Sequence, residues 1–304
     1  MGAPPYNLLV SASTNANPEA VPDAPPPRVE RVPIQGTRVY AETRGEGPAV
    51  LIIPGGAEDA EGWRPVAERL PGHLVVTYDR RGTLRSGRED WPGQGSAQHA
   101  DDAAALLDAL GIDDVLVFGG SSGGIIALEL ALRYPSRVRR ALVFEPGYFG
   151  NAPGGEDFQR PANEAVARYL EEHPSDWPGA YDAFLRAVTG PGETDDGGFL
   201  TPPPGQEWYA QRERSNAEAF VRDDIPIITR EVLDEGRLAS TPADIRFSYG
   251  AESVALFRDV AAHLSVAKGT VADRVEGVGH ATVSYTHLRA HETYEGISCG
   301  GVWL

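Results

Sequence analysis

Apolar and polar positions along the chain follow two periods that alternate at short intervals. Arg28–Ile34 and Thr37–Thr43 are two alternating runs joined by Gln35-Gly36, which predicts a β-hairpin. Ala49–Ile53 is a continuous apolar run, as expected of a strand buried on both faces. His73–Tyr78, Asp114–Phe118 and Arg140–Phe144 read as further strands. Between them Glu61–Leu70 has helical spacing. Ala97–Leu110 places apolar residues at 103, 106, 107 and 110, and Gly123–Tyr134 stays helical until Pro135. This order predicts an α/β fold: a mostly parallel twisted sheet with an N-terminal antiparallel hairpin and helices on both faces.

Residues 147–240 break the alternation. Pro/Gly-rich stretches at Asn151–Glu156 and Thr189–Gly205 separate amphipathic helices expected near 163–173, 178–188, 206–221 and 226–238, with no strong strand. The segment reads as a helical insertion. The alternation resumes with Arg246–Tyr249, Val254–Leu264 and Val271–Val275, so residues 28–146 and 241–282 are expected to form one core. Residues 1–27, with seven prolines, read as a disordered leader.

Composition narrows the function classes. Lys plus Arg number 27 against 44 Asp plus Glu, a net charge of −17, so a phosphate backbone would be repelled and nucleic-acid binding is not expected. Cys299 is the one cysteine, which rules out an intramolecular disulfide. Aliphatic runs such as Val50–Ile53 fall far short of the roughly 18 residues of a membrane helix, and no membrane partner is expected. Residues 1–27 lack a basic start followed by an apolar run, and the expectation is a cytoplasmic protein.

The chemistry is concentrated at residues 114–128, where the run Asp-Val-Leu-Val-Phe enters a Gly/Ser knot and leaves as a helix. Gly-x-Ser-x-Gly between strand and helix is a nucleophile elbow. Glycines two before and two after the serine are needed because a Cβ there would collide with neighbouring backbone. The helix N-terminus supplies N–H groups and positive potential for a developing oxyanion. Two frames fit. Gly119-Gly120-Ser121-Ser122-Gly123 makes Ser121 the nucleophile; the frame one residue on makes it Ser122. The distance from the strand end at Phe118 favours Ser121, with Ser122 then giving its backbone N–H to the oxyanion.

Residues 30–282 resemble the α/β-hydrolase fold superfamily. Ile52-Ile53-Pro54-Gly55-Gly56-Ala57 is similar to its oxyanion loop, with Pro54 where histidine is usual. The useful donors there are the backbone N–H groups of Gly56 or Ala57. Tyr78-Asp79-Arg80-Arg81-Gly82 with Arg85-Ser86 resembles the signature after strand 4, and Val278-Gly279-His280 fits the histidine after strand 8. The resemblance implies His280 as general base. It leaves two candidates for the acid: Glu252, near the usual place after strand 7, and Glu145, at the end of strand 6, which is favoured for its apolar context. Asp79, Arg80 and Arg81 are expected to stitch loops together, and His73, His99 and His263 read as packing, surface or positioning residues.

The insertion at 147–240 stands where the family carries its lid, and aromatics such as Tyr148, Phe149, Tyr169, Trp177, Tyr181, Phe184, Trp208, Tyr209 and Phe220 would line an apolar pocket. What the resemblance implies is hydrolysis of an ester, thioester or lactone of a small hydrophobic molecule through an acyl-enzyme, with no cofactor and no metal. A non-catalytic ligand-binding protein of the same fold, or acyl transfer or C–C bond hydrolysis with the same residues, are the alternatives. Residues 283–304 carry no apolar helical stripe. They resemble a reading frame of a sequencing adapter, and a non-native tail is expected there.

Overall fold

The computed structural model describes residues 26–91, 93–189 and 207–280. The proposed tail, most of the leader and residues 190–206 of the insertion lie outside the described residues. Eight strands form one sheet: β1 (Arg28–Ile34), β2 (Thr37–Arg44), β3 (Ala49–Ile53), β4 (Leu74–Tyr78), β5 (Val115–Gly120), β6 (Val138–Phe144), β7 (Ile245–Gly250) and β8 (Asp273–Val275). Their spatial order is β1-β2-β4-β3-β5-β6-β7-β8. The β1/β2 and β2/β4 pairs are antiparallel and the rest are parallel. Gly36, at φ +73°, turns the hairpin, where Ile34 pairs with Thr37.

Nine α-helices are described: α1 (Arg64–Ala67), α2 (Ser96–Ala109), α3 (Ser121–Arg133), α4 (Gly155–Glu172), α5 (Trp177–Thr189), α6 (Glu207–Ser215), α7 (Ala217–Ala219), α8 (Glu235–Ser240) and α9 (Ala255–Lys268). All five residues of β3 are buried. Ala49, Leu51 and Ile53 join Val117 and the apolar sides of α2 and α3, whereas Val50 and Ile52 face Trp63 and Ala67 on the opposite side. Side chains alternate across a strand, so a continuous apolar run places partners on both faces. No helix among the described residues is long and apolar enough to cross a membrane.

The insertion departs from expectation in several places, and the helix expected over 206–221 is divided into α6, α7 and a π-helical turn at Phe220–Asp224. α4 starts at Gly155 rather than near 163, because Phe158 finds Phe149 and Phe257 at ring distances of 5.4 and 6.2 Å. The helix expected over 226–238 is broken. A 3₁₀ turn at Ile228–Arg230 is followed by α8, which the Asp234 carboxylate caps by accepting from the N–H groups of Gly236 and Arg237. Tyr148 and Phe149, expected to line a pocket, instead belong to the main hydrophobic core.

The strand order places the site. β3 has β4 on one side and β5 on the other, so the loops leaving β3 and β5 diverge at their carboxyl ends. Such a switch point leaves a crevice outside the strand ends, where ligands of open α/β sheets bind.

Candidate active site

Ser121 follows β5 and Glu145 follows β6 at neighbouring positions, because Gly120 pairs with Phe144 in the last register step. Six non-glycine residues among those described have positive φ. Three of them stand at the ends of adjacent strands: Ala57 (+59°) after β3, Ser121 (+54°) after β5 and Glu145 (+43°) after β6. Left-handed backbone at non-glycine residues costs about 1–3 kcal/mol each and persists only where the surroundings enforce it.

The glycines around Ser121 explain the enforcement. A Cβ on Gly119 would meet the Gly123 carbonyl oxygen at 2.3 Å, and one on Gly123 would meet the Ile53 carbonyl oxygen at 2.4 Å. A Cβ on Gly124, the glycine of the other frame, would come no closer than 3.2 Å to a neighbour. The tight turn is therefore centred on Ser121. Ser122 is fully buried and its hydroxyl donates to Asp224 Oδ2 at 2.8 Å. As the second residue of α3, its N–H has no acceptor within the helix.

His280 Nδ1 lies 2.5 Å from Glu145 Oε2, and the other carboxylate oxygen accepts from Gly250 N at 2.7 Å. Glu145 is fully buried. The imidazole stacks on the Phe257 ring, with centroids 3.8 Å apart and planes 9° from parallel. Glu252 is exposed on the turn after β7, and His280 Nδ1 is held by Glu145. The structure thus brings Glu145 and His280 together from two strand ends, whereas Glu252 meets the His280 loop through its backbone, its N–H donating to the Val278 carbonyl at 3.0 Å.

Gly56 and Ala57 lie on the loop after β3. Gly55 N donates to Glu58 Oε2 at 2.6 Å, the Gly55 carbonyl accepts from Arg80 Nη2 at 2.9 Å, and the Ala57 carbonyl accepts from Asn216 Nδ2 at 3.2 Å. Asn216 also donates to Asp59 Oδ2 at 2.9 Å. Burial works to raise the Asp59 carboxyl, but the bonds from Arg212 and Asn216 outweigh it and hold the carboxyl below its usual range.

The charged residues after β4 tie loops together. Asp79, fully buried, accepts from Ala60 N at 3.0 Å and from Arg85 Nε at 2.7 Å. Arg81 forks onto Asp102 at 2.7 and 2.6 Å, and Arg80 onto Asp224 at 3.1 and 2.7 Å. Asp224, Asn216 and Phe257 escaped the sequence reading, which had Phe220 among the pocket aromatics. Asp223-Asp224 falls between the helices expected at 206–221 and 226–238, and nothing local marks a partner 144 residues away.

The profile described as alpha/beta hydrolase fold matches residues 48–219, more than half of the chain. A hydrolase of Bacillus subtilis, YraK, is 38% identical over 115 residues, which cover 37% of this chain and 42% of that protein. A protein of Azorhizobium caulinodans named as a candidate carbamate hydrolase, RutD, is 44% identical over 106 residues, covering 34% of this chain and 40% of its own. The matched stretch thus spans about two fifths of the length of these curated relatives. The crystal structure of an alpha/beta hydrolase from Sphaerobacter thermophilus is 25% identical and superposes with a TM-score of 0.64, over 87% of this chain and 100% of the other. With the profile match, the strand order and the turn at Ser121 in agreement, the chain belongs to the alpha/beta hydrolase fold family.

Proposed function

We propose that this protein is a serine hydrolase that cleaves a carboxylic ester, thioester or lactone of a small hydrophobic molecule. The observation that carries the reading is the 2.5 Å contact between His280 Nδ1 and Glu145 Oε2, beside a serine held in a left-handed turn. With Nδ1–H donated to the buried carboxylate, Nε2 is left as the base for the Ser121 hydroxyl. Ser121 attacks the carbonyl, the N–H groups of Ser122 and of Gly56 or Ala57 stabilise the oxyanion, and His280 returns the proton to the leaving group. Water activated by His280 then opens the acyl-enzyme.

The insertion is read as a lid over this centre. Ala57 packs in one apolar cluster with Val166, Tyr181, Leu185, Phe220 and Ile225, which favours an apolar acyl group beside the oxyanion loop. Hydrolysis is also what the names of the two relatives say of those proteins, in one case of a carbamate. Labelling with a fluorophosphonate probe and peptide mass mapping tests the reading. An adduct on Ser121 that is absent from Ser121→Ala supports it. A folded wild type without an adduct favours a non-catalytic ligand-binding protein.

A further inference from the structure

We infer that Asp224 is a positioning residue that holds both walls of the oxyanion site, so that the insertion completes the reaction centre as well as covering it. The inference rests on the Ser121–His280–Glu145 reading above. One carboxylate joins three elements. Asp224 accepts from the Ser122 hydroxyl at 2.8 Å and from Arg80 Nη1 and Nη2 at 3.1 and 2.7 Å, and the same Nη2 donates to the Gly55 carbonyl at 2.9 Å. Ser122, Arg80 and Asp224 are each at most 2% exposed. One arm of this junction reaches the first turn of α3, where the Ser122 N–H is one proposed donor. The other reaches the loop of Gly56 and Ala57, which carries the second.

The same stretch of the insertion seals that loop directly. Asp224 ends a single π-helical turn, Phe220–Asp224. At its start, the Phe220 ring lies where a Cβ on Gly56 would stand, 2.2 Å away. Arg80 alone would balance the Asp224 charge; the additional bond goes to the residue next to the nucleophile. An oxyanion donor contributes only when held about 2.7–3.1 Å from the oxygen as charge develops. A buried carboxylate anchored to both walls resists their separation, because moving either wall leaves a buried charge short of a partner. Asp224 touches no reacting atom; it acts through Ser122 and through Arg80.

The test compares wild type with Ser122→Ala, which keeps the backbone N–H and removes the link, and with Asp224→Asn. Hydrolysis of p-nitrophenyl butyrate, affinity for a trifluoromethyl ketone and phosphonylation of Ser121 are measured at 25 °C, with circular dichroism as the folding check. The expected result is a fall in kcat of about 10-fold for either variant, with KM within about twofold and ketone affinity falling in step with kcat/KM. The double variant should be no worse than the more affected single variant, because Ser122→Ala removes and Asp224→Asn weakens the same junction. The pH midpoint of kcat/KM should stay in place, since His280 and Glu145 are untouched. Wild-type kcat and ketone affinity in Ser122→Ala overturn the inference, whatever its melting temperature. Should Asp224→Asn fail to fold, Ser122→Ala decides alone. A wild type that is not phosphonylated overturns the triad reading and this inference with it, whereas a labelled wild type with unaffected variants overturns this inference only.

Discussion

The sheet and the insertion are held by different forces. Around β3 and β5 the contacts are apolar on both faces, from Leu51 and Val117 on one side to Val50, Ile52 and Trp63 on the other. Where the insertion meets the core, much of the junction is charged or polar: Arg80 with Asp224, Arg88 with Asp223, Arg212 with Asp59, Tyr209 with Glu58 and Ser96 with Glu231. Apolar burial is non-directional and tolerates small shifts at modest cost. Buried ion pairs are directional, and breaking one side exposes a lone charge to low dielectric. The sheet therefore supplies a rigid base for the serine, and the insertion adds to its apolar packing on Ala57 a few contacts that each have one correct geometry.

The largest expected effect separates chemistry from stability altogether. Ser121→Ala should lower ester hydrolysis by at least about 10⁴-fold, and Glu145→Gln by about 10³-fold or more, with melting temperatures near wild type. Turnover assays beside thermal melts check this; an active Ser121→Ala would move the nucleophile elsewhere. Next come two truncations, one from each region. Arg80→Met should cost about 3–5 kcal/mol by leaving Asp224 buried and unpaired. Leu51→Ala should cost about 2–5 kcal/mol through a cavity. Adding Asp224→Leu to Arg80→Met should recover much of the loss in urea denaturation, whereas no second truncation should rescue Leu51→Ala. Equal behaviour of the two would break the contrast.

A smaller effect concerns His99, a titratable group buried on the sheet side. Its ring packs on Trp91 with centroids 4.0 Å apart and planes tilted by 39°, and burial first, then the charges of Arg80 and Arg81, hold its pKa well below 6.5. The unfolded chain takes up a proton below pH 6.5 that the folded chain refuses. Stability from this residue is thus complete above that pH and declines as pH falls. Wild type should lose ground to His99→Phe between pH 7 and 5, by up to about 1.4 kcal/mol per pH unit. Parallel stability curves would show that His99 titrates normally. The smallest effect belongs to Glu252→Ala, expected to change stability by less than about 0.5 kcal/mol and to leave kcat unchanged. A large loss of kcat there would return the acid role to Glu252.

Much of the sheet was legible because its signal is local. Continuous apolar runs at 49–53 and 115–118 and the hairpin at Gln35-Gly36 each report burial or turn chemistry within a few residues. The elbow was legible for the same reason, since Gly119 and Gly123 are required by the turn they flank. The insertion was less so: Phe158 extends a helix through contacts with Phe149 and Phe257, and Asp234 starts another after a break.

By itself the sequence determined the alternation of strands and helices, the serine turn and a short set of candidates: Ser121 or Ser122, Glu145 or Glu252, and His280. Only the tertiary structure decided which of them meet. The register that sets Gly120 beside Phe144 brings Ser121 and Glu145 to adjacent strand ends, and the 2.5 Å contact joins His280 to Glu145 across 135 residues. The Ser122 hydroxyl is engaged by Asp224, 102 residues away. Local propensity and periodicity carry no information about such partners, because a hydrogen bond between distant residues depends on where the whole sheet places its ends.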